Sequence, residues 1–333
     1  MGETGPASDD GSMQATTVRQ FILRYRSRES ELAMSVAPLA WITGLSAVVA
    51  GLSLVATLAG IVSGFGQHHH TFLTLRGETV TIQGGGLYGN ESLSGASQAI
   101  GQDIVTLAVA IPLLVIATLL VRSGSIRGLV LRAGVLLYFT YTYMLLAFGG
   151  AYNQLFLVYV AIFSASLFAF VLSLLAIDPT RLRARFSGRF RRRLVGWTLV
   201  GFAALLALMW LGRILPALVA GTPPPGLESY STLFVQAGDL GIVVPLTILS
   251  GVLLLRRQPA GFVLAGVMVV KGATFGLALV GMMVAMGALG TDVPIFEVIF
   301  FSALAIALTG CAIHYVACLP RVPRQALSVE IAS

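Results

Sequence analysis

Charge is what this sequence has least of. Asp, Glu, Lys and Arg make up 11% of the 333 residues and hydrophobic residues 56%, where an ordinary soluble domain carries about 25% charged residues. A soluble fold of this length cannot hide that much apolar surface, so that class is excluded. Cysteine is nearly missing as well. Cys311 and Cys318 are the only two, which rules out a disulfide framework. Alternating strands of the ~10-residue kind needed for a transmembrane barrel do not recur. No H-E-x-x-H, G-x-S-x-G or G-x-x-x-x-G-K-[ST] pattern occurs, and no soluble domain is available to host an ordinary active site. The polar start, with Asp9, Asp10 and Gly11, does not read as a signal peptide, because no apolar region follows a short basic one.

What is present is a series of apolar runs that approach or exceed the ~20 residues needed to cross a hydrocarbon core about 30 Å thick. They predict an all-α membrane protein with eight transmembrane helices. The spans are about Val36–Phe65, Ile104–Val121, Gly128–Phe148, Gln154–Ile177, Leu194–Leu215, Leu240–Leu255, Phe262–Leu289 and Ile295–Leu319. The organisation expected is a polar N-terminal segment 1–35, a first four-helix half 36–177 with an outer loop 66–102, a basic linker 178–193, a second half 194–319 and a tail 320–333. Residues 19–33 interleave arginines with Phe21, Ile22, Leu23 and Tyr25, the pattern of a short amphipathic helix at a membrane surface. Within the outer loop, Thr71 to Gln83 alternates β-branched and polar residues around Arg76-Gly77, which predicts a small extracytoplasmic β-hairpin. A glycine-rich turn at Gly84 to Gly89 follows it.

The basic residues decide orientation. Arginines cluster at 19–28, 122–132, 181–193, 256–257 and 321–324, while Arg76 and Arg213 fall on the other side and Lys271 sits inside a span. The positive-inside rule puts the arginine-rich side in the cytoplasm, with both termini. The net charge of +7 then reads as lipid-facing anchors. Membrane lipids are the implied partners; nucleic acid is not needed to explain the charge, and a homo-oligomer or unidentified membrane partner is left open.

Two stretches look alike. Glu91 begins ESLSGASQAIGQD, then an apolar run containing Pro112, then arginines; Glu228 begins ESYSTLFVQAGD, then a run containing Pro245, then arginines. Aligning Gly128 with Gly261 puts Pro112 on Pro245. Eight spans divided this way give two parallel four-helix repeats, with any symmetry axis along the membrane normal and sites where the halves meet. The stretches TLFVQAGDLGIVVPL, RRQPAG and VMVVKGATFG, with GQDIVTLAVAIPLL and YNQLFLVYVAIFSASLFAF, resemble a family of bacterial multi-pass membrane proteins with no assigned activity. That resemblance implies a bacterial plasma membrane and eight helices, and brings no catalytic residues with it.

The candidate site residues are Lys271, Tyr138, Tyr141, Asp103, Asp239 and Glu297. Lys271 lies about 15 Å from the inner end of its span at 1.5 Å per residue, too far to snorkel, so it must face the bundle interior. The repeat alignment sets it opposite Tyr138, with Tyr141 one turn on; Thr247 and Ser250 are expected at similar depth. Gly272-x-x-x-Gly276 admits a neighbouring helix. Glu297 is the nearest acid in an adjacent span. Asp103 and Asp239 are expected first as helix N-caps. The other role open to them is in an acidic outer vestibule with Glu78, Glu91, Glu228 and Glu297.

Other motifs read as ordinary structure. Gly84-Gly85-Gly86-Leu87-Tyr88-Gly89 matches G-x-G-x-x-G but follows no parallel strand and opens no helix. His68 to His70 reads as a loop tip, and Cys311, His314 and Cys318 as a packing stripe; neither is taken as a metal site. No cofactor is called for. Two functions fit: a small-molecule or ion carrier using the interface between halves, or a membrane-embedded enzyme or accessory factor acting on a lipid-linked substrate from outside.

Overall fold

The computed structural model describes residues 39–63 and 68–320. The 19–33 segment, read from the sequence as an amphipathic helix, falls outside these. Among the described residues, eight helices are long and apolar enough to cross a membrane: Leu39–Val62, Leu93–Arg122, Ile126–Phe148, Phe156–Leu175, Arg192–Ala220, Phe234–Leu255, Pro259–Ala288 and Ile295–Ala317. They are numbered here as the first to eighth spans. The chain is therefore a multi-pass membrane protein.

The third and seventh spans form the centre. In each, 72% of the most apolar stretch is buried, against 22% in the eighth. They touch at Gly134, where a Cβ would stand 2.5 Å from the Val270 side chain. Close approach of this kind is what small residues supply in lipid, where burial of apolar surface gives helices no reason to associate. Gly101 of the second span does the same against the seventh, its missing Cβ lying 2.4 Å from the Gly281 carbonyl oxygen. Gly272 and Gly276 meet Leu308 and Ala305 of the eighth span, as their spacing predicts.

Several helices begin earlier or run longer than the apolar runs suggest. The second span opens at Leu93 and the sixth at Phe234, because the polar lead-ins are themselves helical and packed inward: Ala96, Ser97, Ile100, Gly101, Gln102 and Asp103 are all buried. The fifth span continues through Pro216 to Ala220; so near the end, the proline forfeits one backbone bond at little cost. The basic linker contains a short helix. Asp178 caps a short helix, Pro179–Ala184, whose Leu182 is fully buried, while Arg181, Arg183 and Arg185 stay exposed.

Pro112 and Pro245 do not break their helices. Each sits just after a five-residue π-turn, Thr106–Ala110 in the second span and Asp239–Val243 in the sixth. In both, the backbone bond spans five residues, Ile111 N–H to the Thr106 carbonyl and Val244 N–H to the Asp239 carbonyl. The widened turn gives the ladder room near a residue that has no N–H to offer. The turns at the arginine-rich end correspond bond for bond. Ser125 N–H donates to Leu120 O and Gly124 N–H to Val121 O; Gln258 N–H donates to Leu253 O and Arg257 N–H to Leu254 O. Gly124 and Arg257 both have positive φ, 74° and 59°, a conformation costly for arginine. Gly128 and Gly261 then press on the ends of the preceding spans.

Between the first two spans lies a two-stranded antiparallel sheet, β1 (His70–Leu73) and β2 (Thr79–Ile82), pairing His70 with Ile82 and Leu73 with Thr79. Gly77, at φ 82°, makes the turn. The hairpin expected from the alternation is therefore present.

A methyl group tests the close helix contacts. Gly101→Ala is expected to destabilise the protein by about 1–3 kcal/mol through overpacking. Gly201→Ala, with nothing within 4 Å of its added carbon, should be neutral or stabilising by about 0.5–1 kcal/mol, as helical glycines are. Thermal unfolding of both variants in detergent measures the difference; equal midpoints would show that the second and seventh spans do not meet this closely.

Candidate functional site

Lys271 is 3% exposed and sits twelve residues into the seventh span, which begins at Pro259, or about 18 Å along it. Its ammonium nitrogen lies 4.3 Å from the centroid of the Tyr141 ring and 4.3 Å from that of Phe275. A cation held between two aromatic faces is favoured by their quadrupoles, most strongly where water is excluded. Phe275 is one helical turn beyond Lys271 on the same face, and packs edge-on against Tyr141 and Tyr138 at 5.3 and 6.3 Å.

The negative charge stands behind the tyrosine. The Tyr141 hydroxyl donates to Asp239 Oδ1, and Trp210 Nε1 donates to Asp239 Oδ2 at 2.9 Å. Ammonium and carboxylate are thus joined through one phenol, with no direct ion pair; among the described residues the one ion pair is Arg181–Asp178, at the protein surface. The fifth, sixth, third and seventh spans supply Trp210, Asp239, Tyr141 and Lys271 in turn. The second span completes the layer: Thr106 Oγ1 and Tyr138 Oη are 2.6 Å apart, and Gln102 Nε2 donates to Thr142 Oγ1 at 2.7 Å.

Local structure explains the aim of these groups. Tyr138 and Tyr141 lie on the face of the third span that carries Gly134, which turns toward the seventh. Thr106 and Asp239 are the first residues of the two π-turns. One residue too many in a turn swings the following ladder and directs these side chains inward, the common use of such bulges.

Of the predicted site residues, Lys271, Tyr138, Tyr141 and Asp239 come together. Asp103 does not join them directly. It is buried beside Gly60 and accepts a hydrogen bond from Tyr88 Oη at 2.6 Å. Glu297 is exposed in the first turn of the eighth span. Neither aspartate is an N-cap: the second span is capped by Ser92, whose hydroxyl accepts from Gly95 N–H, and Asp239 is the sixth residue of its span. Thr247 and Ser250 are buried and bond their own helix at the Val243 and Leu246 carbonyls. Phe275 was within reach of the sequence through its spacing from Lys271. Trp210 carried no signal, being one aromatic in an apolar run.

Glu91 and Glu228 are engaged in hydrogen bonds. Glu91 is buried, accepting from Ala151 N–H at 2.7 Å and from Tyr230 Oη at 2.6 Å. Ser92 donates to Glu228, and Arg76 donates to the Glu228 and Tyr230 carbonyls at 2.6 and 3.1 Å. Arg76, Glu91 and Ser92 thereby tie the loop between the first and second spans to Glu228 and Tyr230 of the loop between the fifth and sixth. Glu78 stays exposed. His69 Nδ1 lies 3.1 Å from the Gln83 carbonyl, and Cys318 Sγ lies 3.8 Å from His314 Nε2.

Burial raises the Glu91 pKa above its ordinary 4.5, against the lowering effect of its bonds from Tyr230 and Ala151; the nearby Glu228 raises it further. The folded state therefore holds this proton to higher pH than the unfolded chain. Its contribution to stability is full below pH 4.5 and declines as pH rises through the folded-state value. Thermal midpoints across the acid range should show this fall in the wild type and a flatter profile in Glu91→Gln. A profile that is unchanged by the substitution would assign the pH dependence to another group.

Comparison of the chain with known protein families, with characterised proteins and with solved structures finds no match, so the site is read from its own geometry.

Proposed function

We propose that this protein is a carrier in a bacterial plasma membrane, moving a small anionic or polar molecule through a site at Lys271 between two parallel four-helix halves. The observation that carries the proposal is the lysine itself. Its ammonium is buried mid-span between two rings, and the nearest carboxylate is reached through Tyr141. An ammonium in that position costs roughly 2.5–3.5 kcal/mol or more to insert. A cargo carboxylate, phosphate or carbonyl entering beside it gains a charge-assisted hydrogen bond. Asp239 balances the charge while the site is empty, and Tyr138, Thr106 and Gln102 offer hydroxyls and an amide for the polar remainder of the cargo.

The division into halves draws support from the matched π-turns, the matched hydrogen bonds of the two arginine-rich turns, and the placement of the site among spans of both halves. The arginine distribution supports cytoplasmic termini, with membrane lipids as partners. An enzyme or accessory factor acting on a lipid-linked substrate at the outer face is the weaker reading. It needs free outer carboxylates, and Glu91 and Glu228 are engaged in holding the loops together.

Lys271→Met tests the site. The substitution removes the ammonium and leaves the Asp239 carboxylate buried without its counter-charge, and taking one partner from a buried charge pair costs about 3–5 kcal/mol. Lys271→Met should therefore unfold at a lower temperature than the wild type, and combining it with Asp239→Asn should recover part of that loss. In a thermal-shift panel of small carboxylates and phosphate esters, at least one should stabilise the wild type and none the variant. An unaltered ligand response in the variant would make Lys271 a packing residue.

Orientation is tested separately by single cysteines in a background lacking Cys311 and Cys318. An impermeant maleimide applied to intact cells should label Glu78→Cys and spare Ser187→Cys, both positions being exposed. The reverse pattern inverts the topology.

A further inference from the structure

Arg132 lies in the third span, six residues after Ile126 and so about 9 Å from the arginine-rich end. It is the largest fully buried side chain among the described residues. Nε, Nη1 and Nη2 are all buried, and none has a hydrogen-bond partner among those residues. Other arginines show how this fold ordinarily treats a guanidinium. Arg127 donates to the Leu319 carbonyl at 3.0 Å, Arg192 to the Leu254 carbonyl at 3.0 Å and Arg213 to the Pro225 carbonyl at 2.7 Å. Each satisfies itself on the end of a helix or a loop. Arg132 breaks that habit.

Among the described residues no carboxylate pairs with it. On the arginine-rich side, Asp178 caps the Pro179–Ala184 helix and pairs with Arg181 at 3.3 Å. Asp103 lies nineteen residues before Arg122, about 28 Å up the second span and far above Arg132. The Lys271 layer is on the opposite face. Stepping 100° per residue, Gly134, Tyr138 and Tyr141 share one stripe of the third span, while Arg132, Leu136, Phe139 and Tyr143 share the other. That second stripe turns toward the fourth span, where Tyr143 and Tyr159 rings lie 5.9 Å apart. Arg132 thus points into the first group of helices, away from the proposed cargo site.

A guanidinium does not escape burial by losing its proton, as an ammonium can. Its donors form a planar fork that matches an oxyanion two bonds at a time. We propose that Arg132 is the anchor of a second site, one that binds a phosphate group among the first four spans near the arginine-rich end, brought either by a lipid headgroup or by a free phosphate. The site is independent of Lys271 and of the carrier reading.

The test uses the purified full-length chain, washed free of lipid in detergent. One arm adds inorganic phosphate against chloride of equal ionic strength. The other places the protein in nanodiscs of phosphatidylglycerol or of phosphatidylcholine. Specific binding should raise the wild-type unfolding midpoint by a few degrees. A rise with inorganic phosphate identifies a free anion as sufficient; a rise only with phosphatidylglycerol identifies the headgroup. Arg132→Gln should abolish the response, Arg132→Lys keep part of it, and Lys271→Met keep all of it. The proposal is overturned if the wild type responds in neither arm, because the charge is then met by the chain itself, or if Arg132→Gln responds as strongly as the wild type. Should Arg132→Gln fail to fold, the wild-type arms and Arg132→Lys still decide.

Discussion

Hydrocarbon offers no hydrogen bonds, so every polar group the chain carries into it must be met from within. This constraint organises the molecule. The third and seventh spans, the most enclosed, are also the ones that carry Tyr138, Tyr141, Thr142, Arg132 and Lys271. Their enclosure is what makes those residues tolerable, and their glycines make the enclosure close. The other six helices carry the exposed Leu, Val, Ile and Phe side chains, and several of their hydroxyls bond their own backbones, as Ser46 does to the Ile42 carbonyl and Ser173 to the Ala169 carbonyl.

Two ways of handling buried charge stand side by side in the third span's surroundings. At Lys271 the charge is spread over two aromatic faces and linked to Asp239 through Tyr141. At Arg132 the described residues supply burial and no hydrogen-bond partner.

The sequence announced the spans, because twenty apolar residues have few other uses, and it announced the hairpin through alternation around Arg76-Gly77. It also marked Lys271, since a lone ammonium in an apolar run has to be enclosed. It could not mark the helical lead-ins at Leu93 and Phe234: their polar residues look like loop until a neighbouring helix covers them. Asp103 and Asp239 occupied the place where caps usually stand, and only the extra helical turns upstream removed them from it. Arg132 was hidden by company. Beside Arg122 and Arg127 it reads as one more lipid anchor, and nothing in its neighbours says that the helix has already turned it inward. The clamp between Glu91, Ser92, Glu228 and Tyr230 joins residues far apart in the chain; their likeness showed, but their pairing is a property of three dimensions.

The π-turn at Asp239–Val243 fixes a length as well as a direction. A π-turn holds one residue more than the α-helix needs over the same rise. Deleting Leu240 would leave a regular helix with an unbroken ladder, a change that looks mild to any count of hydrogen bonds. It would also rotate everything from Phe234 to Asp239 by about 100° relative to the rest of the span. Asp239 would leave Tyr141 and Trp210 together, and Phe234 would leave the surface of Gly149 on which it now rests. The surplus residue is therefore the phase setting of the outer third of the span: the helix is one residue too long for itself and the right length for its neighbours.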